Sequence, residues 1–231
     1  MERLNLKNDL QVDTKLEKIW SERYSDDDMP LSPFYQEELM KNKITFLSLN
    51  HSLLPKDRLN AKRGFYPTKP YEMIDSTLDK AGYIFFQKFY DLGSKLAKNW
   101  AILDLLYERE SIQEKLQIKY NPKDITASDK KFLQSQIRLT FEILEALNPI
   151  VVVVSNAWSD KLIHSNLKEL NYKQEHPSKE NGYVYKINNI PFITNESRFL
   201  GSLQHFYRSK KDGRLEKLVT EINRVSSSKV S

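Results

Sequence analysis

Short apolar runs alternate along this chain with longer amphipathic stretches, and this order predicts strands alternating with helices. Runs rich in β-branched and aliphatic residues predict strands at 44–49, 100–106, 150–155, 183–187 and 190–194. Apolar residues at helical spacing predict helices over 2–24, 34–41, 72–98, 128–147, 158–170, 196–207 and 212–225. Asn188-Asn189 predicts a tight turn between the last two strands.

This order predicts an α/β fold. The run at 150–155 is apolar without alternation, as in a central parallel strand that is buried on both faces. We expect a three-layer α/β/α sandwich with a mainly parallel central sheet of about four strands. A single domain would cover 1–231, with a helical extension at 1–42 and a flexible tail at 226–231. Thr126 and Asp129 resemble a capping box at the start of the helix over 128–147.

Composition excludes several classes of protein. The 231 residues include no cysteine, which excludes disulfide scaffolds, Cys-ligated metals and thiol nucleophiles. The six glycines never cluster as dinucleotide-binding or phosphate-binding loops require, so we expect no cofactor. The four histidines lack metalloenzyme spacing, and we expect no metal. No apolar run is long enough to cross a bilayer and the N-terminus does not resemble a secretory signal, which predicts a cytoplasmic protein with no membrane contact.

Charge is distributed unevenly. Lys and Arg number 36 against 31 Asp and Glu, a net charge of +5. Residues 198–231 hold eight basic and three acidic residues, so this segment carries the whole excess. The asymmetry suggests a polyanionic partner, although a solvated helix with a lysine-rich tail explains it more simply.

Ligands of such folds bind outside the carboxyl ends of the parallel strands. Asn50 follows the first strand and either holds a water or forms a turn. His51 is either a general acid or base or a hydrogen-bonded histidine of the interior. Asp104 interrupts an apolar run, where a carboxylate is costly unless it is paired, and this favours a functional or network role. Glu108, with its charged neighbours, is interpreted as part of a solvated charge cluster.

Four segments at these strand ends resemble the uracil-DNA glycosylase superfamily. Phe46-Leu-Ser-Leu-Asn50-His-Ser is similar to the motif that holds the attacking water, and Ala101-Ile-Leu-Asp104-Leu-Leu to the strand that supplies a base-reading amide. Pro149-Ile-Val-Val-Val-Val resembles the third strand. Phe192-Ile-Thr-Asn195-Glu-Ser197 takes the place of the H-P-S motif, and Phe199-Leu-Gly-Ser-Leu-Gln-His-Phe206 that of the segment beyond it. Asp104 replaces the family's asparagine, and Asn195 its catalytic histidine.

The resemblance implies base flipping followed by hydrolysis of the N-glycosidic bond. Asn50 would position the water, with His51 as a further catalytic candidate, and Asn195 would donate to the departing base. Asp104, Phe65 and Tyr66 would bind the base. The residues expected to contact DNA are Ser52, Ser197, Arg198, Phe199, Leu200, Arg208, Lys210 and Lys211. The partner would be DNA, and the protein a monomer.

Two other functions stay open. The replacements at Asp104 and Asn195 are compatible with a nucleic-acid-binding relative that has lost its chemistry. An unrelated α/β enzyme could also use the same strand ends for a small molecule.

Overall fold

The structure is a computed structural model that describes residues 2–25, 33, 35, 37–50, 84–108, 110, 112–175, 184–194 and 203–228. Within these residues the strands are β1 Arg3–Asn5, β2 Glu38–Met40, β3 Ile44–Asn50, β4 Trp100–Leu106, β5 Val151–Val154, β6 Gln174–Glu175, β7 Val184–Ile187 and β8 Ile190–Ile193. The helices are α1 Leu6–Leu10, α2 Val12–Ser21, α3 Ile84–Gly93, α4 Gln113–Lys119, α5 Ala127–Leu147, α6 Ala157–Asn166, α7 Leu203–Lys211 and α8 Arg214–Ser228.

Six of these strands form one sheet in the order β4-β3-β5-β8-β7-β6. The first four are parallel, and β7 and β6 extend the sheet antiparallel beyond β8. The predicted mainly parallel sheet is therefore confirmed, but it has six strands among the described residues instead of about four. All four residues of β5 are buried, as its apolar run predicts for a central strand.

Helices pack on both faces of this sheet, which confirms the α/β fold. One apolar cluster joins α1, α2, α4, α5 and α6 to one face, and we call these helices the α5 layer. A second cluster joins α3, α7 and α8 to the other face, and we call these the α8 layer. Successive side chains of a strand point to opposite faces of the sheet. In β3, Leu47 therefore belongs to the first cluster and Phe46 to the second.

The chain reverses direction within the sheet at β3. After β3 it passes through α3 to β4, and then through α4 and α5 to β5 on the other side of β3. Such a reversal opens a crevice at the carboxyl ends of the two strands between which it occurs, here β3 and β5. This edge is where a ligand of the fold is expected.

Several local predictions are confirmed. Thr126 caps α5, its Oγ1 accepting from the backbone N of Asp129 at 3.0 Å. The helix ends at Asn148, whose φ of 47° lies in the left-handed region. Asn188 and Asn189 have φ of 48° and 67°, as the tight hairpin turn between β7 and β8 requires.

The N-terminal region departs from the predicted helical extension. The helix predicted over 34–41 is wrong, because Glu38–Met40 is strand β2 and pairs antiparallel with Arg3–Asn5. The first predicted helix is divided into β1, α1 and α2, with Gln11 between the helices at a φ of 52°. Pairing between segments far apart in sequence overrides the local helical pattern here.

The C-terminal region also differs from its prediction. Helix α8 continues to Ser228, although 226–231 was expected to be a flexible tail. Ser226 is buried, and its Oγ donates to the carbonyl of Ile222 at 2.7 Å. The Ser227 hydroxyl donates in the same way to the carbonyl of Asn223 at 2.9 Å, so both serines bond back to the preceding turn.

Candidate functional site

The carboxyl ends of the parallel strands form one edge of the sheet. Asn50, the last residue of β3, pairs with Leu106, the last residue of β4. On the other side of β3, Leu47 pairs with Val154 at the end of β5. The carboxyl ends of β3 and β5 therefore lie side by side, at the position where ligands of such folds bind.

Asp104 lies on β4 directly beside Ser48 on β3, two positions before Leu106. The Ser48 hydroxyl donates a hydrogen bond to the Asp104 carboxylate. Partial burial raises the pKa of Asp104 to about 6, and the Ser48 bond opposes this shift. Asp104 thus has a polar partner in the sheet and a raised pKa, and its functional role stays a prediction.

A second group with an unusual pKa lies in the α8 layer and was missed by the sequence analysis. Lys88 of α3 is fully buried, with its Nζ 5.1 Å from the centroid of the Phe89 ring. Desolvation lowers its pKa to about 7. The signal in the sequence was a lysine within the apolar stretch Ile84–Gly93, which the helical pattern alone cannot distinguish from a solvated one.

A network of buried polar groups follows the end of β4 on the α5 layer. It consists of Tyr24, Glu108, Lys119, Tyr120 and Gln136, and we call it the Glu108 network. Lys119 Nζ donates to Glu108 Oε2 at 2.7 Å and to the Tyr24 hydroxyl at 3.2 Å, and the Tyr120 hydroxyl donates to Glu108 Oε1. The Gln136 side-chain oxygen accepts from the backbone N of Glu108 at 3.2 Å. The interpretation of Glu108 as solvated is wrong.

Aromatic rings surround the cation of this network. Lys119 Nζ lies 4.8 Å from the Phe132 centroid, 5.0 Å from Tyr120 and 5.9 Å from Tyr24. Desolvation lowers the pKa of Lys119, but the Glu108 carboxylate outweighs it and the net pKa is raised. Burial and the same carboxylate raise the pKa of Tyr120 well above its usual value. Near neutral pH the Lys119 amine therefore stays charged and the Tyr120 hydroxyl stays protonated.

Arg23 and Asp129 attach the N-terminal helices to the same region. Arg23 Nη2 lies 2.9 Å from Asp129 Oδ1, and Thr126 Oγ1 donates to Asp129 Oδ2 at 2.7 Å. Desolvation raises the pKa of Asp129, but Thr126 and Arg23 outweigh it and the net pKa is lowered. Asp129 thus serves both the start of α5 and the anchoring of α2.

Helix α6 brings two further polar groups to this edge. Asn156 caps it, accepting from the backbone N of Trp158 at 2.7 Å and donating to Gln113 Oε1 at 2.9 Å. One turn further, Asp160 Oδ1 lies 3.2 Å from His164 Nε2 and accepts from the Tyr185 hydroxyl at 3.3 Å. These contacts join α6 to α4 and β7.

The structure describes only some of the predicted site residues. Asp104 is described in full, and Asn50 by the place of its backbone at the end of β3. Those outside the described residues are His51, Ser52, Phe65, Tyr66, Asn195, Ser197, Arg198, Phe199 and Leu200.

The remaining predicted residues, Arg208, Lys210 and Lys211, are exposed on α7. Lys210 Nζ lies 3.5 Å from Asp91 Oδ2, so one of these three cations already forms an ion pair.

Comparison with known proteins assigns no family. No family model matches the sequence, and no curated protein matches it. In the described ranges, no helix combines the length and apolar character needed to cross a membrane. The same residues contain no group of three or more His, Asp or Glu side chains placed to hold a metal ion.

Proposed function

We propose that this protein is a DNA N-glycosylase that hydrolyses the bond between a base and its deoxyribose. The observation that carries the proposal is the Ser48–Asp104 pair. It places a carboxylate on β4, beside β3 and two residues below Asn50 and Leu106. Likeness of the four strand ends to the uracil-DNA glycosylase superfamily supports the same reaction.

In the proposed reaction, a water oxygen forms a bond to C1′ as the bond from C1′ to the base nitrogen breaks. The electron pair leaves with the base, and the proton that the water loses ends on the departing base, so that the products are the sugar hydroxyl and the neutral base. Asn50 would hold the water, and Asn195 would donate a hydrogen bond to the base as negative charge develops on it. Phe65 or Tyr66 would stack on the flipped base.

Asp104 would read the edge of the base. Its pKa of about 6 leaves the carboxylate mainly ionised at pH 7.5, and an ionised carboxylate only accepts hydrogen bonds. It therefore favours a base whose edge presents an amino hydrogen. Below pH 6 the protonated form can donate to a carbonyl oxygen instead. We expect the preferred base to change with pH for this reason.

The test is excision from labelled oligonucleotides that carry uracil, hypoxanthine or a mismatched base, with abasic sites converted to strand breaks by alkali. We expect Asn50→Ala to reduce excision by about 10²–10³-fold while DNA affinity stays unchanged. Asp104→Asn should abolish the change of base preference between pH 5.5 and pH 8, which brackets the pKa of about 6.

Asp124→Asn is the matched control for Asp104→Asn, because Asp124 is an exposed carboxylate bonded to Asn121 outside the site. It should leave both rate and preference unaltered. Absence of abasic product from every substrate, with DNA binding retained, would overturn the glycosylase proposal. Full activity of Asn50→Ala would overturn the assignment of the site.

A further inference from the structure

Helix α7 exposes a face that carries an aromatic ring and two cations. Phe206 and Ser209 are buried, and Phe206 belongs to the apolar cluster that α7 shares with α3 and α8. The side chains three, four and seven residues after Gln204 lie on the opposite, exposed face. We call this face the α7 stripe, and it consists of Gln204, Tyr207, Arg208 and Lys211.

Tyr207 is the largest side chain of the stripe. It is 48% exposed, although large aromatic side chains are usually more deeply buried. Its ring meets buried Phe206 edge-on, with 5.6 Å between centroids and 67° between planes. A neighbour in the core thus supports the ring, while about half of the side chain faces solvent.

The two cations of the stripe have no ionic partner among the described residues. Arg208 and Lys211 form no ion pair with any described residue, whereas Lys210 on the same helix is paired with Asp91. No acidic residue lies within Leu203–Lys211. Asp212, the next residue, is 2.9 Å from Arg214 Nη2 and is thereby partly neutralised.

We infer that the α7 stripe binds single-stranded nucleic acid, with Tyr207 stacking on a base and Arg208 and Lys211 contacting phosphates. Cations follow the backbone, and an exposed ring offers a stacking surface to any base. Paired duplex bases hide their faces, so this contact requires unpaired nucleotides. The inference rests on the proposed function for its choice of DNA, and it adds the unpaired strand as the form that this surface binds.

The composition of the stripe disfavours other partners. A helix that lies on a membrane presents a broad apolar face to it. On α7 the apolar side chain of Phe206 is buried in the protein and does not belong to the exposed face. An acidic protein would satisfy Arg208 and Lys211 without requiring an aromatic ring between them. A nucleic acid uses both features at once.

The experiment measures fluorescence anisotropy of a labelled poly-dT strand of about 16 nucleotides, and of a duplex of the same length. Tyr207→Ala should weaken binding of the single strand about tenfold, and Tyr207→Phe should change it less than about twofold. The duplex should respond little to either substitution. In the double variant Arg208→Gln with Lys211→Gln, the slope of log K against log salt should become shallower by about 1.4. This is the change expected when two phosphate contacts to a single strand are lost.

Lys161→Gln with Lys168→Gln is the matched control. Both lysines are exposed, form no ion pair among the described residues, and belong to the α6 region on the opposite face of the sheet. This variant loses the same charge, and its salt dependence should match that of the wild type. An equal loss in both double variants, or efficient competition by polyglutamate, would overturn the inference in favour of a general charge effect.

Failure of the inference can be distinguished from failure of the proposed function. If the wild type produces abasic sites while Tyr207→Ala binds the single strand normally, the inference is wrong and the glycosylase stands. If no abasic site forms but single-strand binding depends on Tyr207, the inference stands and the glycosylase is wrong.

Discussion

Buried ionisable groups have different surroundings on the two faces of the sheet. On the α5 layer, Glu108 and Lys119 neutralise each other, and Tyr24, Tyr120 and Gln136 add further hydrogen bonds. On the α8 layer, desolvation dominates, and it moves the pKa of Lys88 to about 7 and that of Asp104 to about 6. Compensated charges keep one protonation state and hold structure, whereas groups that titrate near neutrality can exchange protons during a reaction. This difference directs attention to the α8 side of the sheet edge.

The largest expected effect comes from breaking the compensated pair. Lys119→Met leaves the Glu108 carboxylate buried without its cation and should lower the free energy of unfolding by about 3–5 kcal/mol. Chemical denaturation at pH 7 measures it. Lys119→Met with Glu108→Gln should recover most of the loss, because no uncompensated charge remains. A loss below about 1 kcal/mol in the single variant would show that the network does not stabilise the fold.

Removing the buried amine of Lys88 should instead raise the free energy of unfolding. The depressed pKa of Lys88 means that the wild type loses stability as pH falls from 10.5 towards 7. Lys88→Met should therefore raise the free energy of unfolding by about 2–3 kcal/mol at pH 6, and by less as pH approaches 10. Lys98→Met, at an exposed lysine, is the control and should be neutral. A destabilised Lys88→Met at pH 6 would indicate that the charged amine is compensated.

The contribution of Asp104 to the free energy of unfolding should depend on pH in the opposite direction, and the effect should be smaller. Its raised pKa means that its contribution is present below pH 3.8 and is lost as pH rises through about 6. Asp104→Asn should stabilise the protein by about 1–2 kcal/mol at pH 8 and have little effect at pH 4. Ser48→Ala should raise the pKa of Asp104 above 6, since it removes the hydroxyl that favours the ionised form. An NMR titration of the carboxyl carbon measures that shift, and an unchanged pKa would contradict the pairing.

The smallest effect concerns the helix that supports the compensated side. Thr126→Ala removes the hydroxyl that caps α5 and bonds Asp129, and should cost about 1 kcal/mol. Thr126→Ser keeps the oxygen and should restore most of the loss. Thermal unfolding compares the three proteins. Equal stability of Thr126→Ala and the wild type would show that the Thr126 cap does not stabilise the fold.

Local patterns predicted the regular parts of this fold well. The strands at β3, β4 and β5, the capped helix α5 and the Asn188-Asn189 turn all follow from apolar runs and cap residues. Sequence reasoning did not find β2, because Glu38–Met40 is strand only through its pairing with Arg3–Asn5. It also missed α4, a seven-residue helix with only Leu116 buried, which leaves almost no apolar periodicity to detect.

The site was predictable where a residue violated its local pattern. Asp104 stands out because a carboxylate interrupts an apolar strand, and the structure pairs it with Ser48. Glu108 stands among other charges and looked solvated, although it is buried and bonded to Lys119 of α4 and Gln136 of α5. Burial of this kind depends on residues far away in the sequence, so a local pattern does not report it.

The sequence by itself determined the alternation of strands and helices, the central β5 strand and the C-terminal excess of positive charge, because periodicity, β-branching and charge are local properties. Only the tertiary structure decided for which ionisable groups desolvation dominates the pKa and for which a bonded partner outweighs it. That distinction depends on distances between segments, such as Lys119 to Glu108 and Ser48 to Asp104, across which both hydrogen bonding and the dielectric environment act.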